Sequence, residues 1–310
     1  MRAAQIQLVS EYPGFHDISE ASQRLVSEAS SVIPCIRETN LGLWMRLLGY
    51  DKSEIFTGSL ADLQGYLSDP LEDAYREYHG ITATSCRPIE HTHTFDEIAL
   101  WKRAGAQLEY SLSDQSPLQL LSFLESTSSS FLGRESKCRN SPVYLLHDVH
   151  GLYIEYLESK LIPSQISVIE QVLLNHAMPA LYRAIVAHVM LIGAHPFEDG
   201  NGRVARLTFN AILAQSGLSF SSYIPLREIF GLSTGALSIQ TRRALLQNKW
   251  DSIVKGFSEA VLVTWRLNQI FAHLSDEDEA SLPSQMGFLP HPTPTPELAP
   301  MILVDEKSRS

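Results

Sequence analysis

Twelve consecutive residues, His195-Pro196-Phe197-Glu198-Asp199-Gly200-Asn201-Gly202-Arg203-Val204-Ala205-Arg206, carry most of the chemistry legible in this chain. An imidazole is followed four residues later by a carboxylate and then by Gly-Asn-Gly. That order sets a proton acceptor and a cation ligand beside a backbone able to turn successive N–H groups toward one anion. Arg203 and Arg206 follow three residues apart, so on a helix both guanidinium groups leave one face and can fork onto phosphate oxygens. Taken singly, each piece is ordinary: a histidine at a helix end is usually structural, Gly-Asn-Gly is a common turn, and paired arginines usually form a solvated face. Together they suit polyphosphate chemistry.

The elements around the run must hold it in place. Pro179 suits the first position of a helix, and Leu181, Ile185, Val189 and Ile192 recur at helical spacing, so a buried helix from Ala180 to about residue 192 leads straight into His195. A second helix is expected from near Gly202, with Gly217 as its C-terminal stop. Its N-terminus aims orphan N–H groups and the positive dipole end at the Gly-Asn-Gly turn, where both favour an anion, and Asn210 continues the arginine face. Val143-Tyr144-Leu145-Leu146 and Leu152-Tyr153-Ile154-Glu155-Tyr156 are β-prone runs on either side of His147-Asp148-Val149-His150-Gly151, a pattern that predicts a hairpin. Candidate helix starts fall at Ser19 and Ser53.

Composition bounds the rest. The 310 residues are 44% hydrophobic and 19% charged, as in globular proteins, and the net charge of −11 argues against a nucleic-acid surface, which needs clustered Lys and Arg. Cys35, Cys86 and Cys138 are odd in number and far apart, which implies neither a disulfide framework nor a zinc site and favours a reducing, cytoplasmic setting. No signal-peptide pattern and no membrane span is expected. The chain divides into a helical region at 1–115, a catalytic core at 116–272, and an acidic, proline-rich tail at 273–310 expected to be disordered.

The string from His195 to Arg206 resembles the motif of the Fic (filamentation induced by cAMP) family at each defining position, including Asp199, the small Gly202 and the second arginine, Arg206. A weaker likeness runs over roughly residues 139–270: Ser141 to Leu145 sits where the family has its target-docking flap. The resemblance implies a mainly α fold, a helical core with one small β-hairpin flap, beside the N-terminal helical region and the tail. It implies ATP as co-substrate, Mg²⁺ as cofactor, and transfer of AMP to a Tyr, Thr or Ser hydroxyl of a protein with release of pyrophosphate. Carried onto this chain, His195 would be the general base and Asp199 the Mg²⁺ ligand. The N–H groups of Gly200, Asn201 and Gly202 would form the anion hole, and Arg203 and Arg206 would orient the phosphates. Phe197 would anchor the loop, and Val143, Tyr144 and Leu145 would pair with an extended segment of the protein substrate. A homodimer is compatible with this reading.

Many members of the family also carry an inhibitory segment, Ser/Thr-x-x-x-Glu-Gly/Asn, whose glutamate pairs with the second motif arginine. Ser30 to Cys35 resembles it, with Pro34 in the place of the glutamate and Cys35 in that of the glycine. The expectation is therefore a broken clamp and an enzyme free of this restraint. The alternatives are another nucleotidyl or phosphoryl transferase, a phosphohydrolase using a different donor, or a non-catalytic nucleotide-binding protein. Among the remaining ionisable residues, His188 reads as a satisfied core histidine, His147-Asp148 as a hairpin loop, and Glu90-His91-Thr92-His93-Thr94 as an exposed polar loop.

Overall fold

The structure is a computed structural model that describes residues 3–6, 12–37, 97, 100–101, 119–145, 153–231 and 236–272. The expected helix start at Ser53, the His147-Asp148 loop, the 90–94 loop and the tail lie outside the described residues. The described elements, all within the unit Met1–Leu274, run in the order β1 (Ala3–Gln5), α1 (Glu20–Val32), α2 (Leu120–Leu132), β2 (Tyr144–Leu145), β3 (Tyr153–Glu155), α3 (Ile162–Leu174), α4 (Ala180–Ala194), α5 (Asn201–Ala214), α6 (Leu226–Gly231), α7 (Ala236–Gln247) and α8 (Asp251–Ala272). The fold is mainly α.

At its centre lies α4. Every residue from Leu181 to Leu191 is buried, so this helix is packed on all sides rather than along one stripe. Its main partner is α5, with α3, α1, α7 and α8 around it. Pro179 stands one place earlier than expected, as the N-cap of α4. There its missing N–H costs nothing and its extended ψ of 139° turns the chain into the helix. Gly217 does adopt the left-handed conformation, φ 89°, a turn beyond the end of α5, and the N–H of Leu218 donates to the Leu213 carbonyl at 3.2 Å.

Ser19 caps α1, its Oγ accepting from the Ser22 N–H at 3.3 Å. The same Ser19 ties α1 to α8, because Asp251 Oδ1 accepts from Ser19 N at 2.9 Å, Ser19 Oγ at 2.6 Å and Ser22 Oγ at 2.6 Å. α1 gives way to a 3₁₀ turn, Ile33–Cys35, where Pro34 removes a helical donor.

The predicted hairpin is present: β2 and β3 pair antiparallel with Tyr144 opposite Glu155 and Leu145 opposite Ile154. It is not a lone hairpin, however. β1, from a region expected to be helical, pairs parallel with β3, giving the order β1-β3-β2, and the Ile6 N–H donates to the Glu155 carbonyl at 2.8 Å. Two short strands seldom persist in water by themselves, and the third strand fills one edge. Among the described residues no helix is long and apolar enough to cross a membrane.

Candidate active site

The loop between α4 and α5 begins with strained backbone. His195 closes α4 in the left-handed region, φ 45° and ψ 59°, with its N–H still donating to the Leu191 carbonyl at 3.0 Å. A non-glycine residue rarely adopts this conformation unless its surroundings over-determine it. Phe197 is fully buried beneath the loop. Asn201 then staples the turn: its Oδ1 accepts from Phe197 N at 2.9 Å and its Nδ2 donates to the Phe197 carbonyl at 2.8 Å. Gly200 caps α5 at φ 82°, a conformation that favours glycine.

These constraints gather His195, Glu198, Asp199, Gly200, Asn201, Gly202, Arg203, Arg206 and Arg227 around one cavity of about 450 Å³. The catalytic, metal and nucleotide residues expected from the sequence therefore share one site. The N–H of Gly200 is not open to an anion, because it donates to Asp199 Oδ1 at 2.6 Å. The first-turn donors of α5 that border the cavity are at Asn201, Gly202 and Arg203, which have no intrahelical acceptor. Asn210 also departs from expectation: it is buried and clasps the chain at Ile224, accepting from its N–H at 2.7 Å, so it does not continue the face of Arg203 and Arg206 into the cavity. The chain it clasps leads directly into α6 and Arg227.

His195 is held as a neutral imidazole. Burial first, and then the Arg139 guanidinium, pull its pKa down to about 4 against a partial offset from the Ile192 carbonyl and Asp199. Its ring stacks on Tyr156 at a centroid distance of 4.0 Å and 19° between planes, and its buried Nδ1 makes no hydrogen bond of normal geometry. Asp199 is 69% exposed, with Oδ2 3.5 Å from Arg203 Nη2. Arg203 lies over the Phe131 ring, 5.4 Å from its centroid. A Cβ at Gly202 would sit 3.2 Å from Arg206 Nη1, so this position keeps the arginine in place by being small.

Arg206 is paired. Its Nε donates to Glu97 Oε2 at 3.0 Å, and its Nη2 also contacts Glu97 Oε1. Glu97 is fully buried and accepts a further hydrogen bond from the Tyr223 hydroxyl at 2.8 Å. This corrects the expectation drawn from residues 30–35. Pro34 lies against Gly217, where an added Cβ would come within 3.3 Å of the proline ring, and the carboxylate on the second motif arginine comes from Glu97. The sequence hides Glu97 because His93 stands four residues before it and Ile98 follows it, so neither end of the inhibitory pattern is present. Arg227, which the sequence reading also missed, carries no motif signal and enters the cavity only through the turn at Ile224-Pro225. Of the flap residues, Val143 is half-buried and Tyr144 is 49% exposed, while Leu145 lies in β2.

The Fic/DOC family model matches residues 123–213, from α2 through α5. Protein adenylyltransferase fic-1 of Caenorhabditis briggsae is 54% identical over 41 residues, which is 13% of this chain and 8% of that protein. Probable protein adenylyltransferase aq_aa38 of Aquifex aeolicus (strain VF5) is 40% identical over 58 residues, 18% of each chain. The matched stretches thus span a small part of both relatives. A solved structure of a Fic family protein from Desulfovibrio desulfuricans G20 superposes with a TM-score of 0.52 at 17% identity, covering 87% of this chain and 81% of that one, a likeness of fold. The motif loop, the helices that carry it and the flap all lie inside or beside the matched segment, so residues 123–213 are a stretch that matches the Fic/DOC family.

Proposed function

We propose that this protein transfers AMP from ATP to a hydroxyl side chain of another protein, Tyr, Thr or Ser, and releases pyrophosphate. The observation that carries the reading is the gathering of a neutral imidazole, an exposed carboxylate, first-turn helix donors and arginines around one cavity. In the reaction the acceptor oxygen attacks the α-phosphorus as the bridging bond to the β-phosphate breaks. Pyrophosphate leaves, and the hydroxyl proton passes to His195, which burial keeps unprotonated at neutral pH. The first-turn N–H groups of α5 and the guanidinium groups of Arg203 and Arg227 receive the phosphate oxygens, where preorganised donors act without reorganisation.

A divalent cation fits Asp199. Its carboxylate is exposed to the cavity with one oxygen held by Gly200 N, and among the described residues no cluster of three ligating side chains surrounds it. An ion such as Mg²⁺, which keeps most of its waters, would take its remaining ligands from phosphate and would neutralise the charge on the leaving group. The target segment is read as an added strand on the flap, at the outer edge of β2, since β1 covers the other edge of β3.

Glu97 gives this proposal a resting state. Its carboxylate occupies the guanidinium that would otherwise meet the γ-phosphate, so the protein is held back until that pair opens.

Incubation with ATP labelled at the α- or the γ-phosphate tests the reading, on the full chain and on E97Q. Label from the α position on protein supports AMP transfer. Label from the γ position would instead mean phosphorylation, and label from neither, with nucleotide bound, would leave a nucleotide-binding protein.

A further inference from the structure

Arg139 lies between α2 and β2, only 4% exposed, and no carboxylate pairs with it among the described residues. Its charge is satisfied by carbonyls alone. Nε donates to His195 O at 2.7 Å and Nη2 to Ala194 O at 3.2 Å, while its main-chain N–H donates to Pro196 O at 2.8 Å. Three consecutive carbonyls around the strained histidine are thus bound by one residue. The rest of the guanidinium faces the flap: Nη1 donates to Ser141 O at 2.7 Å and Nη2 to Leu157 O at 2.5 Å. Ser141 precedes β2 and Leu157 follows β3, so these are the two feet of the flap.

We propose that Arg139 is a positioning residue that fixes the left-handed backbone of His195 and fastens both feet of the flap to it, setting the distance between the imidazole and a docked acceptor hydroxyl. What the imidazole does rests on the proposed transfer reaction. Where it is held does not.

The physical case is one of geometry. A left-handed histidine relaxes unless its neighbouring peptide groups are held, and Arg139 holds the groups before, at and after it. Only arginine offers five donors in a rigid planar fork, which is what acceptors on two sides demand. A cation is also favoured here because Ala194 ends α4, where the dipole is negative. The coupling reaches the ring itself, since Tyr156, which stacks on His195, sits beside Leu157 and donates its N–H to Val143 O at 3.0 Å. Movement of a flap foot therefore moves the imidazole's stacking partner.

The groups facing His195 are Arg139, Tyr156 and the Ile192 carbonyl on one side, with Glu198, Asp199, Arg203, Arg206 and Arg227 around the cavity. In R139Q the positive neighbour and the fork are both lost, so the His195 imidazole, titrated by NMR on the full chain, is expected to rise from about 4 toward the ordinary histidine value. In R139K the charge stays and the fork goes. The titration should then move less, while the rate of α-phosphate labelling of the protein falls at least tenfold and ATP affinity, measured calorimetrically, changes less than twofold.

A simple helix cap would not give that split. An unmoved His195 titration in folded R139Q overturns the proposal, as does an R139K protein that labels like wild type or loses ATP affinity in step with labelling. If R139Q does not fold, R139K decides through the same split. If wild type and E97Q both fail to transfer AMP, the proposed function falls, and the His195 titration still decides on Arg139.

Discussion

Arg206 and Glu97 form a two-point ion pair in which the carboxylate is fully buried and the arginine, 17% exposed, still borders the cavity beside His195. The arginine can therefore exchange partners without being moved, whereas the glutamate has nowhere to go. Charge-assisted contacts of this kind are worth ~1.5–3 kcal/mol, so in the proposed reaction competition from Glu97 would hold the phosphate back roughly 10- to 100-fold.

E97Q should accordingly raise α-phosphate labelling by on the order of 10- to 100-fold and tighten ATP binding. Glutamine keeps an oxygen for the Tyr223 hydroxyl, so the surrounding packing survives. Equal labelling by E97Q and wild type, both folded by circular dichroism, would mean that the pair does not restrain the reaction. By contrast, replacing Pro34 by glutamate should leave the rate unchanged, because that residue lies against Gly217.

The base can be tested by substitution and by pH together. H195A should lower transfer by about 10²–10⁴ with ATP affinity nearly unchanged. In the wild type the base must be neutral to accept a proton, and its pKa lies near 4, so the acid limb of the rate should fall well below the ordinary histidine range. A half-maximal rate near pH 6.5 would show that His195 is not the titrating base or is not buried as described.

Three ligands of the cavity should separate by readout. R203A and R227A each delete a phosphate donor and should weaken ATP binding about tenfold, within the usual range for a lost charge-assisted contact. D199A should instead remove the dependence of transfer on Mg²⁺ together with most activity. Calorimetry with and without the ion distinguishes them, and unchanged ATP affinity in R227A would exclude that residue from the site.

Acid should destabilise the fold before most carboxylates titrate. His188 is buried edge-on to the Phe257 and Phe209 rings, its Nδ1 makes no hydrogen bond of normal geometry, and burial, with help from Arg206, pulls its pKa down to about 3. The unfolded chain takes up a proton near pH 6.5 that the folded chain refuses, so stability falls as pH drops below that value, by about 2 kcal/mol between pH 7 and 5 from this group. Urea unfolding of wild type and H188Q at both pH values measures it. The variant should lose that part of the slope, and identical slopes would refute the assignment.

Local features of this protein are written in its residues. The helix–loop–helix at 180–214, the hairpin at 144–155, the Ser19 cap and the stop at Gly217 all follow from spacing, turn chemistry and capping within a few residues. The His195 to Arg206 run was legible for the same reason, since one loop and one helix end carry all of it. Relations between distant segments come from packing instead. Arg206 meets a glutamate 109 positions away, Arg139 reaches carbonyls 55 to 57 positions ahead, β1 joins β3 across nearly half the chain, and Asn210 spends its amide on Ile224. A buried polar group must find a partner, and periodicity shows that it is buried but not which partner packing will bring to it. The pattern at residues 30–35 accordingly leads to Gly217, while the carboxylate on Arg206 is Glu97, which the fold brings against it.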